Sequence, residues 1–399
     1  MNHRSLRFAV LSLVLLCATS ACTKEDKALT DVPDAAARRV LFKNLAERVI
    51  APTYADFTKA ASALAKATVS HASSKTAGDL EAAQEAFVDA MLVWQRAEVF
   101  QVGPSASVTN SAAGSEGLRQ EIYAWNTVNR CGISRALVEK VYADDKAFAD
   151  LYPNARGLGA LEILLFDDSS DSGCAKTNSI ITSGAWDKLS AKELVERRAE
   201  YAKSAAADVV KRASALEKAF RTFTSEFVKA GDGSELFAGT NDALNAFTDA
   251  LFYLDTETKD MKLAKPLGID GSCAGKACLP FVEHPHAKVS RQSIQANVEA
   301  FRDVFRGLPP TKRGSAMWGL KDLLLSISAD KLAKDMDLRI DSTLSALAKV
   351  ESLEQAIEAG DASPMKAYME LQTLTDLLKT QFIAVLSLQA PMNAAGDND

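Results

Sequence analysis

Histidine is scarce, with four in 399 residues. None of them forms a His-Glu-x-x-His pair, so the usual zinc-peptidase helix is absent. There is no Gly-x-Ser-x-Gly elbow to present a hydrolase nucleophile. Beyond the N-terminal segment no stretch is long and apolar enough to span a bilayer. Lysine and arginine form no stripe interleaved with aromatics, and the formal charge is −6, so nucleic acid is not an expected partner. Alternating strand patterns are nearly absent, which leaves helices to build the fold. Paired carboxylates could perform acid–base chemistry, but nothing selects a substrate, and catalysis has little support.

What the N-terminus does have is an export signal. Arg4 and Arg7 form a basic region, and Phe8 to Ala18 is an apolar run too short for a comfortable membrane span. Thr19-Ser20-Ala21-Cys22 then resembles a lipobox, with residues 1–21 as signal peptide and Cys22 as the lipidated mature terminus. Thr19 stands where such boxes usually carry Leu, and ordinary cleavage after Ala21 is the rival reading. Both export the chain to the cell envelope. The lipoprotein reading is preferred because an acylated cysteine explains why Cys22 lies there. Thr23, rather than Asp, follows it, which suggests the outer membrane over retention elsewhere in the periplasm. Residues 22–33 read as a polar tether. Loss of Arg4 and Arg7 takes the mature charge to about −8, which fits cations or basic partners better than acidic ones.

Cys131, Cys174, Cys273 and Cys278 remain after Cys17 leaves and Cys22 is set aside. Of three pairings, the local one, Cys131–Cys174 with Cys273–Cys278, is expected. Loop closure makes these bridges worth about 4 and about 2 kcal/mol. An oxidising compartment favours that over metal binding by Cys273-x4-Cys278.

Helical spacing dominates the rest. Leu80, Phe87, Met91, Trp94 and Glu98 share one stripe, which Gly103-Pro104 stops. Ser190-Ala191-Lys192-Glu193 is a capping box that opens a helix running to Lys229. Gly231-Asp232-Gly233 ends it and marks a boundary between bundles at 34–230 and 231–390, with 391–399 a frayed tail. The second half continues with stripes through Leu244–Leu254, Ile294–Phe305, Met317–Ile327, Ile340–Leu347 and Tyr368–Phe382. Two packed all-α bundles are the expected architecture.

Glu162 is the candidate that burial singles out. It is a lone carboxylate in Gly157-Leu158-Gly159-Ala160-Leu161-Glu162-Ile163-Leu164-Leu165-Phe166, and an unpaired buried charge must find a cation, donors or a proton. Glu98 is the natural second member. Two converging carboxylates would suit a hard cation. Glu283-His284-Pro285-His286 adds two imidazoles on a segment that Pro285 should hold extended. His71 reads as a solvated loop residue, and Asp167-Asp168-Ser169-Ser170-Asp171 as a solvated turn.

The segment at Gly157 resembles the imelysin signature, Gly-x-His-x-x-Glu followed by an aliphatic run, with Gly159 where the family has histidine. Leu45–Tyr54 with Phe57, Trp94-Gln95-Arg96-Ala97-Glu98, Glu283 with Ser290 and Ala296-Asn297, and Gly319–Leu324 are similar to further family segments. The resemblance covers roughly residues 34 to 390. It implies an exported two-domain helical protein with a site where the domains meet, a link to iron uptake, and a peptidase label. On that reading Glu162, Glu98, Glu283, His284 and His286 bind iron or another divalent or trivalent metal in the cleft, the imidazoles replacing the one missing at Gly159. The partners expected are the membrane, through the lipid anchor, and iron-uptake components of the envelope. The alternatives are a metallopeptidase and a partner-binding scaffold whose metal site is degenerate.

Overall fold

The computed structural model describes residues 35–108, 113–271, 273, 277–307, 319–389 and 391. The signal, Cys22, the tether, Met317 and the tail from 392 lie outside the described residues. Those described are helical with no strand, as the periodicity predicts. The described residues fall in one compact unit.

The first half is built on α1 (Ala35–Leu45), α2 (Ala51–Ser74), α3 (Ala77–Ala97), α4 (Gly157–Phe166) and α5 (Ala191–Val228). A π-helical turn, Ala46–Ile50, joins α1 to α2. α5 has 38 residues, about 57 Å at helical rise. It starts at the expected capping box, the Ser190 hydroxyl taking the Glu193 N–H and the Glu193 carboxylate taking the Ser190 N–H. Its apolar stripe, Leu194 through Phe227, is buried against α2 and α4. Such fully buried aromatic and aliphatic side chains each stabilise the fold by about 1.5–3 kcal/mol relative to exposure.

The second half carries α6 (Thr240–Leu251), a π-helix (Leu254–Ala264), α7 (Ser290–Arg306), α8 (Asp330–Leu347) and α9 (Ser363–Leu377). The boundary expected at Gly231 falls in a turn, where Gly231 and Gly233 adopt φ of 71° and 86°, conformations that favour glycine. Aromatic rings pack across it: Phe227 of α5 lies 5.9 Å from Phe247, centroid to centroid. α7 packs against both α3 and the π-helix, and that contact positions the site.

Both expected disulfides are present, Cys131–Cys174 and Cys273–Cys278. Thiol labelling of the native protein should find all four cysteines blocked, and peptide mapping should find no crosslink between the halves. A Cys131–Cys278 peptide would contradict the fold.

Two expectations are corrected. His71 is not in a loop; it lies in α2 and is 4% exposed. Asp167 is not solvated, because Arg130 donates to its side chain at 2.5 Å and Arg198 donates to its carbonyl at 2.6 Å. For Asp167 the short polar run reads as surface because its partners, Arg130 and Arg198, lie far along the chain.

Candidate functional site

Gln95 and Glu98 stand three residues apart at the C-terminal end of α3, so they share a face. That face meets Asn297 of α7, Lys262 of the π-helix and Tyr253 just before it. Lys262 is fully buried, and its Nζ lies 2.5 Å from Gln95 Oε1, 2.6 Å from Glu98 Oε1, 3.1 Å from Asn297 Oδ1 and 3.1 Å from Glu283 Oε1. Four acceptor oxygens surround it, the environment an ammonium requires. The Tyr253 hydroxyl donates to Glu98 Oε1, and Lys262 Nζ and the Arg119 guanidinium each lie 5.2 Å from the centre of its ring. Asn297 donates to the Gln95 carbonyl at 2.6 Å, which fixes α7 to the end of α3.

Glu283 joins this group to a second one. Its Oε1 also accepts from Gln95 Nε2 at 2.9 Å and from the Tyr123 hydroxyl at 3.1 Å. Next to it, His284 Nδ1 lies 2.9 Å from Glu162 Oε2. The other oxygen of Glu162 accepts the backbone N–H groups of His286 and Ala287, both at 3.1 Å. Burial opposes ionisation of Glu162, but the His284 charge and these hydrogen bonds hold its pKa below the usual carboxylate value. Burial likewise opposes the His284 charge, yet Glu283 and Glu162 outweigh it and raise the imidazole pKa. Tyr123 is pushed well above its ordinary range by burial and then by the charges of Glu283, Glu162 and Glu98. Ser290 closes the base of the segment, accepting the His284 N–H at 3.1 Å and donating to Glu354 at 2.6 Å.

The structure therefore brings Glu98, Glu162, Glu283 and His284 into one buried network and leaves the His286 ring at its edge. It also alters the expected path of residues 283–287. Pro285 to Ala287 form a turn rather than an extended segment, because two successive N–H groups converge on one carboxylate oxygen of Glu162. Lys262, Tyr253, Tyr123 and Arg119 were not foreseen as site residues. One signal was available: Asp255, Thr258, Lys259 and Lys262 step by three and four, the spacing of a core stripe, and each is fully buried.

The family resemblance implies a metal ion in this network. Among the described residues no three His, Cys, Asp or Glu side chains are grouped to hold one. The oxygens a hard cation would use are turned onto Lys262 Nζ. Both oxygens of Glu162 are engaged. His284 Nε2 and Glu283 Oε2 lack hydrogen-bond partners but face each other at 3.7 Å. Glu98 Oε2, also without a hydrogen bond, lies 3.9 Å from Arg119 Nε. Lys262, Arg119 and a protonated His284 thus match Glu98, Glu162 and Glu283 within the chain, with Glu257 acting on Arg119 as well. A metal would have to displace these charges at the full cost of unpairing them. The donor set does not fit a metal as it is built.

A cavity of about 400 Å³ opens beside the network, lined by Tyr123, Trp125, Gly159, Phe281, Glu283 and His286 among others. A larger and more open groove of about 610 Å³, along Tyr142, Glu193, Arg197 and Lys203, shares none of the network residues. The smaller cavity is the one that chemistry favours.

The His284–Glu162 pair predicts a pH optimum for stability. The contribution of the raised His284 is complete below its unfolded value near 6.5 and is lost as pH rises through the folded one. That of the depressed Glu162 is present above the unfolded carboxylate value and is lost as pH falls through the folded one. Thermal melting across pH should show both limbs, and His284→Gln should flatten the alkaline one. An unchanged alkaline limb in that variant would show that the pair is not responsible.

Comparison with known proteins agrees with this architecture. The Imelysin family model, which carries a peptidase label, matches residues 50–381. No curated protein matches. A protein provisionally named an iron-regulated protein A precursor, from Parabacteroides distasonis ATCC 8503, is similar in structure with a TM-score of 0.69 at 17% identity, covering 89% of this chain and 95% of its own. An imelysin-like protein from Psychrobacter arcticum 273-4 is similar with a TM-score of 0.66 at 19% identity, covering 90% and 98%. The chain belongs to the imelysin family.

Proposed function

We propose that this imelysin-family chain is an exported, lipid-anchored protein of the cell envelope that acts by binding, as an accessory to iron acquisition, and not by cleaving peptides. One observation carries the reading. Each carboxylate of the buried network has a cationic partner within the chain, Lys262 for Glu98 and Glu283 and His284 for Glu162, so the charge that a catalytic metal would neutralise is already balanced. The iron-regulated name of a similar structure supports the iron connection. The cavity beside Tyr123 and Phe281 is the natural receiver for a small ligand or a partner side chain.

The test combines two measurements on the purified mature protein. After equilibration with iron, zinc and calcium followed by desalting, elemental analysis should find no stoichiometric metal. No chelator-sensitive cleavage of an unfolded protein substrate should appear. One retained metal per chain that disappears in Glu98→Gln, together with such cleavage, would restore the metallopeptidase reading. The anchor is tested separately. Cys22→Ser should move the protein from the membrane fraction to the soluble one, and an unchanged distribution would refute lipidation.

A further inference from the structure

Gly159 stands at the position where the resemblance places a histidine, and the space above it is closed. A Cβ added there would meet Val128 Cγ2 at 2.5 Å, so an imidazole cannot enter unless Val128 moves. Lys262 is the second observation and is independent of the first. It comes from a different element, and its Nζ contacts Gln95 Oε1, Glu98 Oε1, Glu283 Oε1 and Asn297 Oδ1 between 2.5 and 3.1 Å. Two carboxylates and two amide oxygens around one centre form a cation receptor, and the chain supplies the cation itself.

We propose that Lys262 is a tethered cation occupying a four-oxygen receptor, which makes this protein independent of metal and leaves a latent binding site for free ammonium-type or divalent cations beneath the lysine. The proposal concerns the same network as the function inferred above but does not require it. An envelope role could fail on fractionation while the tethered cation stands. The oxygens differ from a metal cage in one respect that matters. They come from α3, the 283–290 segment and α7 and already surround an ammonium that a flexible four-carbon stem carries to them, so a free ion can enter only when that stem is removed. Occupancy is favoured by tethering, because a cation carried on the same chain competes as an intramolecular ligand against any free ion.

The experiment uses methylammonium and manganese(II) as probes on the full mature chain. Lys262→Ala should gain one saturable site for methylammonium or manganese, read by calorimetric titration and by a rise in melting temperature. Its affinity should be at least about tenfold above any binding by the wild type. A folded Lys262→Ala protein that binds neither probe overturns the proposal. So does a wild type that binds manganese as tightly as the variant.

Should the variant fail to fold, acetylation of the wild type decides the matter. Lys262 should stay unmodified under native conditions while exposed lysines such as Lys192 react, and excess manganese should not change this. Manganese-dependent acetylation of Lys262 would mean that metal displaces the lysine, and the proposal would be wrong.

Discussion

Lys262→Met is expected to lower stability by about 3–5 kcal/mol, the range for removing one partner of a buried ion pair and stranding the other. Methionine keeps much of the side-chain volume, so the loss reports charge rather than a cavity. Glu98 and Glu283 would both lose the ammonium that lies 2.6 and 3.1 Å from their Oε1 atoms, and neither is open to water. A second variant makes the cause explicit. Adding Glu98→Gln and Glu283→Gln to Lys262→Met removes the stranded charges, and most of the lost stability should return. Urea denaturation of the three proteins measures this. A loss under about 1 kcal/mol in the single variant would place the lysine in a solvated position and contradict the network.

Gly157→Ala should cost about as much, roughly 3–5 kcal/mol, by a different route. Gly157 opens α4 with φ of 74°, a conformation that strains any residue bearing a Cβ. The Cβ would also run into the backbone carbonyl of Ile122, which cannot rotate aside as a side chain can. This close approach has a purpose in the site. It holds residues 121–123 against the start of α4, and so brings Tyr123 to Glu283 while α4 carries Glu162 to His284. The substitution should therefore loosen the clasp as well as the helix start. Denaturation measures the first effect, and loss of the alkaline limb in the pH profile measures the second. Gly184→Ala, at φ of 65° but with nothing within 4 Å of the added atom, separates backbone strain from collision and should cost about 1–2 kcal/mol.

How far the sequence foretold this structure depends on how local each signal was. The α5 helix was legible from end to end, because its capping box and its apolar spacing both lie within the segment they describe. The two disulfides were legible for a similar reason, each pair closing within one half. Glu162 announced itself by polarity alone, a carboxylate amid aliphatic residues. What it touches was not legible, since His284 is 122 residues away. Lys262 was the hardest to see. Its burial is compensated only by the oxygens brought by α3, α7 and Glu283. The turn at Pro285 was misjudged because proline's local preference yields when two backbone N–H groups are drawn to one carboxylate oxygen. The resemblance to the imelysin signature supplied the family. At Gly159, where the family signature has histidine, Val128 leaves no room for an imidazole.

The account stands or falls on what occupies the centre of the four oxygens. Crystals of the wild-type protein soaked in manganese(II), with diffraction recorded near the manganese absorption edge, address that directly. The account predicts no anomalous peak among Gln95, Glu98, Glu283 and Asn297, and Lys262 Nζ in density at that point. An anomalous peak there, with Lys262 swung away from Glu98 and Glu283, would contradict it.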